Sequence, residues 1–193
     1  MEDEAYTGED FYAEEWNDRT YLRCRFSDVD LTESSTRNVR FEECQFLNVR
    51  FNASRHGDSA FLRCAFAGSN LFEAQFDGCK LTGSTFRETA MRPLTVSGGD
   101  WSFVTLVEAD LRGCVFRDVR MREADLTGAN LTGATFVGVD LSGAALDRIK
   151  LGRADLRRSD LSALDPRMAE LTGAVIDAEQ AVVVAMALGL VVR

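Results

Sequence analysis

Apolar side chains recur along this chain at every fifth position. Counting from Tyr6, the steps fall on Phe11, Trp16, Tyr21, Phe26 and Leu31 and continue to Leu156 and Leu161, with only Thr36 and His56 breaking the rule. Eleven of the 13 phenylalanines keep this register; Phe72 and Phe103 are the exceptions. Two residues before each centre stands a small or slender side chain, such as Ser69, Ala74, Cys79, Ala124 or Val139, which marks a second inward position. Two residues after the centre stand 11 of the 15 glycines, as expected where a backbone turns a corner. A period of five matches neither the 3.6 of a helix nor the 2 of a strand, so neither element would keep these residues on one side. The backbone must bend once every five residues.

A longer period closes the circuit. Cys-x-Phe occurs at 24–26, 44–46 and 64–66, and Phe86 continues the phenylalanine column, so like residues recur at 20. Four units then make one coil, with equivalent side chains stacked as in other solenoids. The units ADLTG at 124–128, ANLTG at 129–133 and ADLRR at 154–158 resemble the A(D/N)LXX motif of the pentapeptide-repeat proteins. The resemblance runs from residue 4 to 163, about 32 units. It implies an all-β solenoid: a right-handed quadrilateral β-helix of four repeats per coil and about eight coils over residues 1–164. At roughly 4.8 Å per coil the rod is about 38 Å long.

Residues 165–193 change character. Pro166 occupies a centre, Asp177 followed by Gln180 reads as a capped helix start, and Gly189 as its stop. The helix expected at about 178–188 is apolar nearly all round, which calls for burial on more than one side. One side covers the open end of the last coil; the surplus predicts a two-fold homodimer joined end to end through Val182, Val183, Met186, Leu188 and Leu190. The apolar run Ala181–Val192 is shorter than the roughly 20 residues a membrane span needs, so it is expected to be buried in protein.

Charge narrows the function classes. The net charge is -9, of which residues 1–18 contribute eight acids and no base. That balance disfavours direct nucleic-acid binding, and the acidic start is the opposite of a targeting segment, which predicts a cytoplasmic location and no membrane. Cys24, Cys44, Cys64, Cys79 and Cys114 all occupy the small inward position and read as core filler. His56, the single histidine, sits one coil above Thr36 and reads as a hydrogen-bonded core residue. With no Gly-x-Ser-x-Gly, nucleotide loop or paired metal ligands, the sequence offers no catalytic site, metal or cofactor. RPLTVSGGD at 92–100 departs from the motif but keeps its phase, so it alters a turn rather than inserting a loop.

The RPLT stretch at Arg92–Thr95 and the D-x-[DE]-Q-A-V tail at Asp177–Val182 look like those of the MfpA/Qnr-type fluoroquinolone-resistance proteins within this family. That resemblance implies a DNA-mimicking rod that binds DNA gyrase or topoisomerase IV and protects it from quinolone-like poisons. Duplex DNA carries roughly 22 charges over such a length, so this chain is an under-charged mimic, and its faces carry acids and bases in near balance. The candidate partner contacts are Asp110, Asp125, Asp140, Asp155 and Asp160, each just before a centre, where a carboxylate also suits hydrogen bonding to the turn. The alternative function is a rod-like interaction scaffold with an unrelated partner.

Overall fold

The computed structural model describes residues 1–193 and is a parallel β-solenoid followed by one C-terminal helix. The chain visits four faces in turn, and each rung pairs with the rung twenty residues on. On the first face Tyr6, Phe26, Phe46, Phe66 and Phe86 lie in register. The third face runs from Glu15–Asn17 through seven strands to Thr135–Val137, then by bridges to Asp155 and Val175, eight steps of twenty residues. The fourth face begins with Thr20–Leu22, Arg40–Glu42 and Ala60–Leu62 and continues as bridges through Lys80, Asp100, Arg120 and Asp140. The second face consists of isolated bridges alone, Asp10 to Ala90 and then Asp110 to Glu170. The gap between those ladders coincides with Arg92-Pro93, whose peptide bond is cis. The phase is untouched there: Val96 pairs with Phe76 below and Phe116 above. Gly99 makes this possible, because a Cβ at its φ of +84° would lie 2.0 Å from the Cys79 carbonyl oxygen.

The fivefold residues fill the interior. Phe26 stacks on Phe46 at 5.1 Å and Phe46 on Phe66 at 4.8 Å, with ring planes within 15° of parallel. The ring spacing is that of neighbouring strands, so the aromatic column and the backbone ladder reinforce one another. All five cysteines are buried free thiols at the small inward position. The two polar centres satisfy each other: Ser54 Oγ donates to the Phe51 carbonyl and so accepts from His56 Nε2 at 3.0 Å. His56 Nδ1 lies 2.9 Å from the Thr36 hydroxyl, which donates to Ser59 Oγ at 3.0 Å.

Corners differ from the glycine-based expectation. Besides glycines, 21 non-glycine residues adopt positive φ, nearly all of them two residues after a centre, among them Asp28, Glu73, Glu88 and Arg153. A left-handed conformation costs such residues roughly 1–2 kcal/mol. Here the ladder imposes it: corner amides bond across to the next coil, as Asn48 N–H does to the Ala67 carbonyl at 2.9 Å.

The helix spans Ala178–Ala187 with the expected ends. Asp177 accepts from the Gln180 amide at 3.0 Å while Gln180 Oε1 accepts from the Asp177 amide at 2.9 Å, and Gly189 takes φ +87°. The Gln180 and Arg158 amides, both donating to it, hold the Asp177 carboxyl below its usual range. Gln180 also anchors the helix to the rod, its Nε2 donating to the Leu156 and Ser159 carbonyls at 2.6 and 2.7 Å. The apolar run is not buried within the single chain. Val184 lines an apolar cavity with Leu156, Leu161 and Leu171, but Val182, Val183, Met186, Leu188 and Leu190 are exposed. The helix docks through a polar anchor at its first turn, which leaves most of its apolar surface facing out.

Two predictions follow from the core. Phe46→Ala removes the middle of the aromatic column and lowers unfolding free energy by about 3–5 kcal/mol, measured by urea titration; a loss below about 1 kcal/mol contradicts the packing described. Burial pushes the His56 pKa down from 6.5 to about 3. Between those values the folded state binds fewer protons than the unfolded one, so the associated stability is complete above pH 6.5 and drains away as pH falls toward 3. His56→Phe therefore flattens the dependence of Tm on pH between 6.5 and 4; an unchanged slope places the acid sensitivity elsewhere.

Candidate partner-binding surface

The rod's outer surface divides into flat faces and the edges between them. The five aspartates singled out from sequence all lie on faces, and on different ones: Asp125 on the first, Asp110 on the second, Asp155 on the third, Asp140 and Asp160 on the fourth. Each accepts the amide two residues ahead, at 3.3 Å for Asp110, 3.0 Å for Asp125, 3.1 Å for Asp140, 3.3 Å for Asp155 and 2.8 Å for Asp160. Asp30 and Asn70 make the same bond elsewhere in the rod, so the interaction serves the turn.

Three of the five are also neutralised locally. Arg112 lies 2.7 Å from Asp110 and Arg92 3.0 Å, Arg122 lies 2.6 Å from Asp140, and Arg157 2.6 Å from Asp155. The arginine partners hold Asp110 and Asp155 below the usual carboxylate range. Burial opposes the same shift at Asp140, where hydrogen bonds from Ser142 and Arg122 more than offset it. Asp125 and Asp160 have no ion pair.

The net charge lies elsewhere. Positions directly before and after the centres from Tyr6 to Leu161, which make the faces, carry twelve acids and fourteen bases. The left-handed corner positions carry eleven acids (Asp3, Asp18, Asp28, Glu33, Glu43, Asp58, Glu73, Glu88, Glu108, Asp118 and Glu123) against Arg23, Arg63, Arg148, Arg153 and Arg158. Of these acids Asp3, Glu43 and Asp118 are ion-paired; the other eight are not. The bases among corner residues gather toward the C-terminal coils. The rod is therefore acidic along three of its four edges from the N-terminal tip to Asp118, while on the fourth Arg23 and Arg63 alternate with Asp3, Glu43 and Glu123, and its faces are near neutral.

No group of three or more His, Cys, Asp or Glu side chains is placed to hold a metal ion, and no helix is long and apolar enough to cross a membrane.

Known proteins share this architecture. Residues 69–146 match the pentapeptide repeat region family and residues 140–176 the family of pentapeptide repeats in eight copies. Pentapeptide repeat protein MfpA of Mycobacterium tuberculosis is 36% identical over 99 residues, 51% of this chain and 54% of that protein. MfpA of Mycolicibacterium smegmatis is 37% identical over 59 residues, 31% of each chain. The chain thus spans about half the length of the first relative and a third of the second. Among solved structures, a trypsin-treated variant of QnrB1, a plasmid-mediated fluoroquinolone resistance protein, superposes with a TM-score of 0.75 over 100% of this chain and 99% of its own, at 24% identity. Full-length QnrB1 gives 0.65 over 98% and 99%, at 22% identity. These likenesses, together with the twenty-residue ladder and the fivefold core, place the chain in one family: it is a pentapeptide-repeat protein.

Proposed function

We propose that this protein is a non-enzymatic DNA mimic of the quinolone-resistance type, which occupies the cationic DNA-binding groove of DNA gyrase or topoisomerase IV in the cytoplasm. The reading is supported by the likeness to MfpA and, above all, by where the acids stand. Duplex DNA presents two ridges of negative charge separated by grooves. This rod presents three acidic edges separated by near-neutral faces. A cationic saddle would meet the ridges first, and complementary potentials of this kind speed encounter and fix orientation more than they add raw affinity. On this reading the contact surface consists of the unpaired edge acids, with Asp125 and Asp160 beside them. Asp110, Asp140 and Asp155 contribute less, because arginines already balance them.

A homodimer completes the proposal. The exposed Val182, Val183, Met186, Leu188 and Leu190 form an apolar surface at the C-terminal end, and a two-fold pairing there doubles the rod to roughly 75 Å or more. The acidic edges then lie toward its two ends, and the corner arginines 148, 153 and 158 near its middle.

Val183→Asp is expected to convert the dimer to a monomer in light scattering, and an unchanged mass contradicts the interface. In a gyrase supercoiling and drug-induced cleavage assay, micromolar protein is expected to inhibit supercoiling or reduce cleavage. Reversing two unpaired acids of one edge, Glu88→Lys with Glu108→Lys, should weaken the effect about tenfold or more. An absence of effect from the unaltered protein favours a scaffold with a different partner, and an undiminished effect from the edge variant refutes contact through the edges.

A further inference from the structure

Two independent irregularities of the rod fall on the same rungs of the same face. The only polar centres, Thr36 and His56, are stacked neighbours on the third face. Outside them, two side chains that would cover the face are missing or small. Gly57 stands between Arg37 and Asp77 in one outward column, and Ser35 between Glu15 and Arg55 in the other. The result is a depression of about 480 Å³ whose lining contains no hydrophobic residue. A polar, hydrogen-bonded core beneath a hollowed face departs twice from the repeat pattern at one place, which is the pattern expected where a surface serves a ligand.

The chemistry of the walls names the ligand class. Arg37 and Arg55 project outward from adjacent rungs on opposite sides of the depression, both exposed. Of the other arginines of these coils, Arg40 and Arg50 on neighbouring faces and Arg23 and Arg63 at corners are ion-paired, whereas Arg37 and Arg55, like Arg25 on the first face, have no carboxylate within 4.0 Å. Two free guanidinium forks facing one hollow match an oxyanion that presents several acceptors. Glu15 and Asp77 close the ends, one rung beyond the arginines on either side. They bar an extended polyanion, which would run into a carboxylate, and admit a compact one. We propose that this depression binds a compact phosphate-type dianion, either free or as the terminal group of a small phosphate ester. The hollow is of the size that holds a small ligand rather than a bare ion, which favours the ester. The site stands independently of the gyrase reading, on a face rather than an edge.

Isothermal titration of the full chain with glycerol 3-phosphate, and separately with inorganic phosphate, tests it at an ionic strength held constant with chloride. Saturable binding is expected at millimolar concentration or below. It should weaken about tenfold or more in Arg37→Met with Arg55→Met. Gly57→Asp should do the same by filling the hollow with a carboxylate: the nearest atom to a Cβ there is the Thr36 carbonyl oxygen at 4.0 Å, and φ is not left-handed, so the fold tolerates it. Arg117→Met, on the same face but outside the depression, should leave binding unchanged. Tighter binding of the ester identifies the ester as the ligand form, and equal binding identifies free phosphate. No saturable heat with either probe, or binding that survives both variants, overturns the proposal.

Discussion

The structure depends on one constraint: every backbone group on a rung must find its partner twenty residues away. A parallel ladder of this kind is satisfied only if each coil has the same circumference as its neighbours, so the chain has to turn at the same place in every coil. The corner amides that bond across, such as Asn48 to Ala67 and Gly128 to Asp147, fix the left-handed turn whether or not a glycine is present. Once the turns are fixed, the centre and the small residue two places before it point inward in every unit, and phenylalanines at equal heights stack by necessity.

The same constraint shapes the surface. Because the turn residue is held by its backbone, its side chain stands out from an edge, where it meets solvent or the corner side chain of the next coil, as Asn48 Nδ2 donates to Asp28 at 3.1 Å. Face residues are less free. The aspartates before the centres are tied to the amides that follow them, and many are balanced by arginines one rung away or two residues on. Charge that stays unbalanced therefore accumulates at the corners, and a square rod with three acidic edges is what results.

Much of this was legible in the sequence because the determinants are local and periodic. The column of Phe26, Phe46 and Phe66 follows from adding a period of five to a period of twenty, and the capped helix follows from Asp177, Gln180 and Gly189. His56 and Thr36 stood out as a stacked pair, and the structure supplies Ser54 and Ser59 as their partners. Other features depend on relations between coils. Glycine statistics suggested how corners turn but not that Glu88 or Arg153 would turn them equally well, since the ladder rather than the residue sets φ. The exposure of Met186 and Leu190 depends on how the helix docks, and the docking rests on Gln180, read as a cap and found to be an anchor as well. The hollow at Ser35 and Gly57 appears only when four rungs are laid side by side. The exposed Phe103, an apolar residue at a left-handed corner, has no explanation in the structure.

The claim that twenty residues make one interchangeable coil is tested most directly by comparing two internal deletions in thermal unfolding followed by circular dichroism. Removing residues 123–142 joins Arg122 to Gly143 and leaves every remaining side chain in phase, whereas removing residues 125–142 takes away less of the chain but shifts the phase of all that follows. The account predicts that the first variant keeps a cooperative transition near that of the intact protein, and that the second loses it or retains only the N-terminal portion. If the two melt alike, the ladder is not what holds the rod together.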